Sequence, residues 1–278
     1  MNKKINVKEY LDPNISSEEM RKIRLGMISE LNKCKYDNVE YNDYQILEIK
    51  FGLKDNLDVS VYADPKYDCK QMNEIRLGLN NDLDVSIYAD PKYNNNQMYQ
   101  IRIGLREHLD ISLYNNPSYN YNQMSQIKFG LKNNIDASLY ANPNYNHKQM
   151  EQIRFGLEDD LDVSVYADPK YDCGQMFLIR EGLNNDLDVS VYADPRFNWR
   201  QMCEIRDGLK DNLDVSIYAD TKFNEKQMDE IRMGLKNNLD VSVYVDPKYD
   251  SSQMYEIRKG LLYNLNDNCK NMFNIVCK

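Results

Sequence analysis

The chain has 278 residues, of which 42% are hydrophobic, with 35 Lys and Arg residues against 44 Asp and Glu residues. This composition supplies enough apolar side chains for a sizeable core and excludes a disordered or collagen-like chain. The formal net charge of −9, with no cluster of Lys or Arg, argues against a general nucleic-acid or membrane-surface binder. The apolar runs are too short for a bilayer-spanning helix.

The glycines are the most regular feature, since ten of the 11 recur at an interval of 26 residues. These ladder glycines are Gly26, Gly52, Gly78, Gly104, Gly130, Gly156, Gly182, Gly208, Gly234 and Gly260. A fixed period of this size is typical of a repeat array, in which each unit buries its apolar face by stacking on its neighbours. We therefore expect a single repeat domain over residues 1–278, with about ten units.

The first element along the chain is predicted to be an atypical N-terminal capping unit over residues 1–40. Within it, residues 10–13 read Tyr-Leu-Asp-Pro and correspond to residues 62–65, half a unit before the first ladder glycine. Regular repeats are expected over residues 41–262, with the consensus N-x-x-Q-M-x-E-I-R-x-G-L-x-x-x-L-D-V-S-x-Y-A-D-P-K-Y. Residues 263–278 depart from it and are expected to cap the C-terminal end, as the last unit of an open stack requires.

The first half of each unit is predicted to be an α-helix. Met72, Ile75, Leu79 and Leu83 are spaced three, four and four residues apart, as one apolar stripe of a helix requires. A capping side chain such as Asp68 stands three residues before a glutamine at the predicted start of the helix. This spacing is the signature of a capping box, which satisfies the free amides of the first turn.

The second half of each unit is predicted to be a shorter helix. Asp58 is placed to cap one or two turns over residues 59–63, and the following proline ends them. The alternation of Leu57, Val59 and Val61 also fits a strand, which would give a helix-and-strand horseshoe. We favour an all-α solenoid of two-helix repeats, because Ala and Asp follow where a strand would need another apolar residue.

The motifs Gln-Met-x-Glu-Ile-Arg-x-Gly-Leu and Leu-Asp-Val-Ser-x-Tyr-Ala-Asp-Pro resemble a short helical repeat of anaerobic low-GC Firmicutes and of their phages and mobile elements. The resemblance extends from residue 5 to about residue 265. It implies an α-solenoid in a bacterial or phage cytoplasmic setting. It implies no role for any individual residue.

The sequence carries few residues of the kinds that enzymes use. Its two histidines, His108 and His147, occupy different positions of the repeat, and no cysteine pair has the C-x-x-C spacing of a zinc site. The ladder glycines stand alone, so they form no phosphate loop. We therefore expect no catalytic residues, no bound metal and no cofactor. The first residues lack the apolar segment of a signal peptide, which points to the cytoplasm.

Three repeated residues are assigned to the frame of the fold. The ladder glycine is predicted to lie at the edge of the apolar stripe, where its missing side chain lets a neighbouring element approach. The Arg or Lys two residues before each glycine, Arg76 for example, is predicted to pair with carboxylates of adjacent units. Asp58 and its equivalents are predicted to cap the second helix.

Function is expected at positions that vary between units. On the long helix these lie nine, eight, five and one residues before the ladder glycine and two to three residues after it, roughly opposite the apolar stripe. The position just before the glycine is apolar in the first six units and mostly polar in the last four. The six apolar residues are Leu25, Phe51, Leu77, Ile103, Phe129 and Phe155. The other candidates are the aromatic residues Tyr99, Tyr121, Phe177 and Trp199, with Arg200 beside the tryptophan.

An exposed apolar row on a repeat array predicts a protein-binding site, unless the chain itself or a second copy covers it. The sequence therefore predicts a non-catalytic scaffold that binds a protein through this outward face, without direct contact to nucleic acid or membrane. One alternative is an acidic inhibitor from a phage or mobile element that occupies a basic site on a host enzyme or defence system. Another is a structural protein that self-assembles.

Overall fold

The computed structural model describes residues 41–276, with side chains as far as Tyr263. The predicted N-terminal capping unit, including Leu25, lies outside the described residues. The chain divides into two compact units, Met1–Lys132 and Asn133–Lys278.

The described part of the first unit, residues 41–132, contains four long helices: α1 (Asp43–Lys54), α2 (Cys69–Leu79), α3 (Asn95–Arg106) and α4 (Tyr121–Lys132). One-turn 3₁₀ helices lie between them at Val59–Val61, Val85–Ile87 and Ile111–Leu113. Each long helix packs against the next one.

The second unit repeats this order. Its long helices are α5 (His147–Glu158), α6 (Cys173–Leu183), α7 (Trp199–Lys210), α8 (Glu225–Lys236) and α9 (Ser251–Val276). Its 3₁₀ helices are Ala137–Leu139, Val163–Val165, Val189–Val191, Val215–Ile217 and Val241–Val243. Successive long helices again pack together. Residues 41–276 contain no strand, so the α-solenoid is confirmed and the horseshoe alternative is wrong.

Both predicted caps are present. In α2, the Asp68 carboxylate accepts hydrogen bonds from the backbone amides of Lys70 and Gln71, and the Gln71 side chain accepts one from the Asp68 amide at 2.8 Å. This reciprocal box satisfies the amides that have no partner within the helix. The Asp58 carboxylate accepts from the Ser60 amide at 3.0 Å at the start of the first 3₁₀ helix.

The long helices end in a left-handed turn that corrects one sequence prediction. Helix α2 ends at Leu79, and Asp82 has a φ of 53°, so Leu83 lies beyond the helix and not on its stripe. The amide of Leu83 donates to the Gly78 carbonyl and that of Asp82 to the Leu79 carbonyl, both at 3.1 Å, which is the Schellman pattern. The residues in this left-handed position are Asn56, Asp82, His108, Asn134, Asp160, Asp186, Asn212 and Asn238.

In seven repeats of the described chain, a core tyrosine lies on the ladder glycine. Tyr88 is fully buried, and its hydroxyl donates to the Glu74 carbonyl at 3.1 Å. A Cβ on Gly78 would overlap this hydroxyl and come within 2.6 Å of Val85 Cγ1. The glycine is therefore needed for close packing, as predicted from its place beside the apolar stripe. Burial raises the pKa of Tyr88 above that of an exposed tyrosine.

Candidate interaction surface

The positions nine, eight, five and one residues before each ladder glycine lie on one face of each long helix, and we call these positions the outward surface. Every one of the aromatic candidates in its first three positions is exposed. Tyr44 has 71% of its surface exposed and Trp199 has 46%. The remaining ones are Tyr99, Tyr121, Phe177 and Tyr255. Helical periodicity therefore assigned these side chains to the correct face.

The row just before the ladder glycines is less uniform than predicted. Phe51 and Phe129 are exposed, and Leu77 and Phe155 are half-buried. Ile103 is only 7% exposed, so its assignment to the outward row is wrong. Its short, β-branched side chain does not extend beyond the helix surface as a phenylalanine does. Gln100, one turn before it on α3, is buried as well.

The repeated arginines border the outward surface and join neighbouring helices. Arg76 Nε donates to Glu48 Oε2 at 2.8 Å, and Arg232 Nε donates to Glu204 Oε2 at 2.7 Å. Arg102 with Glu74 and Arg258 with Glu230 are bonded in the same way. Each pair joins residues 28 positions apart. The predicted pairing between adjacent units is therefore confirmed for these four arginines.

Where no acidic residue stands 28 positions earlier, the arginine binds a different partner. Leu178 stands 28 positions before Arg206, and Arg206 instead bonds the adjacent Asp207 at 2.7 Å. The aspartate that breaks the apolar row in this unit thus supplies the arginine with its anion. Burial raises the pKa of Glu204, and the positive charge of Arg232 opposes that rise.

Aromatic side chains of the outward surface stack on the same arginines. The Arg180 guanidinium carbon lies 5.5 Å from the Phe155 ring centre and 5.6 Å from that of Phe177. Arg76 lies 5.3 Å from the Phe51 ring centre. A cation over an aromatic face at these distances is attractive. The arginines therefore hold the rings in place and leave part of each ring accessible.

Trp199 lies at the start of α7 with one side against the preceding helix. A Cβ on Gly174, the one glycine outside the ladder, would lie 3.4 Å from Trp199 Cβ. Arg200 stacks over the indole with its guanidinium carbon 5.2 Å from the ring centre. Arg200 Nη1 also lies 3.8 Å from Glu225 Oε1 on α8. This cluster combines a half-exposed indole with a guanidinium group that contacts both the indole and Glu225.

The glutamine of the capping box has a second role that the sequence did not reveal. Gln71 Nε2 donates to the carbonyls of Pro91 at 3.3 Å and Tyr93 at 2.7 Å, just before α3. Each such glutamine thus fastens the start of one long helix to the chain that enters the next. A capping box accepts glutamate as readily as glutamine. The repetition of glutamine in the nine repeats from Gly52 to Gly260 was therefore the signal for a donor to carbonyl groups.

Groups of three or more His, Cys, Asp or Glu residues with metal-binding geometry are absent from the described part of the chain. Cys69, Cys173 and Cys203 are free thiols, and burial raises the pKa of Cys203. His108 occupies one of the left-handed turns and is exposed. None of the helices in the described range has the length and apolar character needed to span a bilayer. The chain matches no protein-family model, no curated protein and no solved structure.

Proposed function

We propose that this protein is a non-catalytic scaffold that binds a protein partner through the outward surface. One observation carries the proposal: of 13 large hydrophobic residues that are exposed in the described chain, nine lie in the four positions of this surface. These nine are Tyr44, Leu47, Phe51, Tyr99, Tyr121, Phe129, Phe177, Trp199 and Tyr255. Scattered exposed side chains are ordinary, but concentration on one face is typical of an interaction site.

The chemistry of this surface suits protein recognition. Aromatic and arginine side chains contribute most of the energy in many protein interfaces, and both occur here in fixed contact, as in Arg180 with Phe177. Rings that are already held on a guanidinium lose little conformational freedom when a partner covers them. The frame residues lie elsewhere, so the outward positions can change without loss of the fold.

The acidic side chains give less support to the alternative of an acidic inhibitor. Asp58 caps a 3₁₀ helix through Ser60, and Asp64 accepts from the Lys66 amide in the following turn. Lys66 Nζ also lies 3.0 Å from Asp64. Equivalent aspartates repeat these contacts. Much of the negative charge is therefore engaged in local turns.

The proposal is tested with the full chain as bait in an extract of its own cell. Phe129→Ser combined with Phe177→Ser alters two exposed rings of the outward surface. We expect the captured partner to bind about 30-fold more weakly or worse, because each ring contributes about 1 kcal/mol or more if it lies at the interface centre.

The matched control is Leu139→Ser combined with Val243→Ser. These residues are 50% and 51% exposed but lie nine residues after a ladder glycine, outside the outward surface. The control variant should capture the partner as the wild type does. Equal capture by all three proteins, or equal loss in both variants, would contradict binding through the outward surface.

A further inference from the structure

Helix α9 differs from the other long helices of the described chain because residues 261–276 continue the helix where a second half would otherwise stand. The preceding helix, α8, ends at Lys236, two residues after its ladder glycine, and a 3₁₀ helix follows at Val241–Val243. Helix α9 instead continues past Gly260 as far as Val276. The described chain therefore provides no tyrosine to lie on Gly260.

Three residues of α9 are left open where their equivalents are filled. Among the described residues, no atom lies within 4 Å of a Cβ placed on Gly260, whereas Tyr244 and Val241 lie against Gly234. Gln253 is exposed, and its side-chain nitrogen donates to no carbonyl of the described chain, unlike that of Gln71. Ile257 is half-buried, although its equivalents in α2 to α8 are fully buried. One side of α9 thus has the shape and the polar groups that elsewhere receive a second half.

The sequence before Gly26 contains a further segment that reads as a second half. Residues 5–15 read Ile-Asn-Val-Lys-Glu-Tyr-Leu-Asp-Pro-Asn-Ile, and they align with residues 57–67, which read Leu-Asp-Val-Ser-Val-Tyr-Ala-Asp-Pro-Lys-Tyr. Tyr10 corresponds to Tyr62, and Pro13 corresponds to Pro65. This segment stands directly before the unit of Gly26. It has the residues that α9 lacks.

We propose that residues 5–15 of a second copy of this chain bind to α9 and complete its repeat. Tyr10 of the second copy lies on Gly260, and its hydroxyl donates to the Glu256 carbonyl, as that of Tyr244 does to the Glu230 carbonyl at 3.1 Å. The amide of Gln253 donates to the carbonyls of Pro13 and Ile15.

Such a contact joins two different surfaces, so it is a head-to-tail interface. Interfaces of this kind generate open filaments, or rings where the geometry closes. The contact uses the side of α9 that carries Gly260, and it leaves the outward surface free. It is therefore independent of the proposed function.

The first test is the mass of the full-length protein in solution. We expect sedimentation velocity to show growth in steps of one whole chain as the concentration rises over about a thousand-fold range. Gly260→Ala should remain a single chain throughout, because its Cβ fills the position of the incoming hydroxyl. Its thermal unfolding should not occur at a lower temperature, since no atom of the residues that the structure describes lies near that Cβ.

A complementation test identifies the two surfaces. Tyr10→Ala leaves the Gly260 side of α9 unchanged, and Gly260→Ala leaves residues 5–15 unchanged. Each variant alone should remain a single chain, and an equal mixture should form a complex of two chains that grows no further. A wild type that stays a single chain at every concentration overturns the proposal. So does a Gly260→Ala protein that assembles like the wild type, or a mixture that forms no complex.

Discussion

Gly208→Ala tests whether the ladder glycines hold the repeats together. A Cβ at this position would overlap the Tyr218 hydroxyl and lie 2.8 Å from Val215 Cγ1. The methyl group favours the helix by about 1 kcal/mol. Displacing Tyr218 from the Glu204 carbonyl leaves a buried hydroxyl unpaired, at about 1–3 kcal/mol, and overpacking adds about 1–3 kcal/mol. The free energy of unfolding should therefore fall by about 3 kcal/mol net.

Urea unfolding followed by far-UV circular dichroism measures this change, with all proteins at the same low concentration. Gly260→Ala is the matched control, because it makes the same substitution in open space and should be neutral or stabilising by up to about 1 kcal/mol. Adding Tyr218→Phe to Gly208→Ala removes the overlapping oxygen and should recover about 1 kcal/mol or more. An unchanged melt for Gly208→Ala, or an equal loss for Gly260→Ala, would refute the packing role.

Three further predictions concern the frame. Burial raises the pKa of Tyr244 to about 12, and it also raises the pKa of Tyr218. The free energy of unfolding should therefore be unaffected below about pH 10 and should fall by about 1.4 kcal/mol per pH unit for each such tyrosine between about pH 10 and the pKa of the folded state. Urea melts at rising pH check this prediction, and a flat profile would contradict it. Asp160→Gly should stabilise by about 1 kcal/mol in urea melts, because Asp160 has a φ of 54°, whereas Asp160→Ala should not. Gln149→Leu removes the hydrogen bonds of this side chain to Asn146 and to two backbone carbonyls, so the free energy of unfolding should fall by about 2–3 kcal/mol. Gln253→Leu should cost less in the same urea melts. Equal losses in the two variants would rule out a role for the bonds to the carbonyls.

The repeated frame could be predicted because its forces act within one unit or between neighbours. The spacing of Asp68 and Gln71 is sufficient to identify a capping box. The phase of Gly78 relative to the apolar stripe is sufficient to predict a close approach, although the sequence does not identify Tyr88 as the residue that approaches. An arginine or lysine at the same position of every repeat implied an acidic partner at a fixed position, which Glu48 provides for Arg76.

The features that were missed depend on backbone geometry or side-chain length. Asp82 and His108 adopt a left-handed conformation that usually indicates glycine, so the end of each helix was not recognised and Leu83 was assigned to the wrong element. For the candidate site, helical periodicity assigned Phe177 and Trp199 to the exposed face. Helical periodicity predicts the direction in which a side chain points but not how far it extends from the helix, so it did not predict the burial of Ile103.

In the described part of the chain, the hydrogen bonds that join neighbouring repeats span 20 to 28 residues and so connect each repeat to the next one. Excision of one whole period therefore leaves each frame residue opposite the equivalent position of another repeat. Removal of residues 170–195, for example, takes Leu178 away and brings Gln152 to the position 28 before Arg206, where Arg180 now bonds it. Recombination between repeats of the gene can thus lengthen or shorten this protein in steps of 26 residues without a change to its frame.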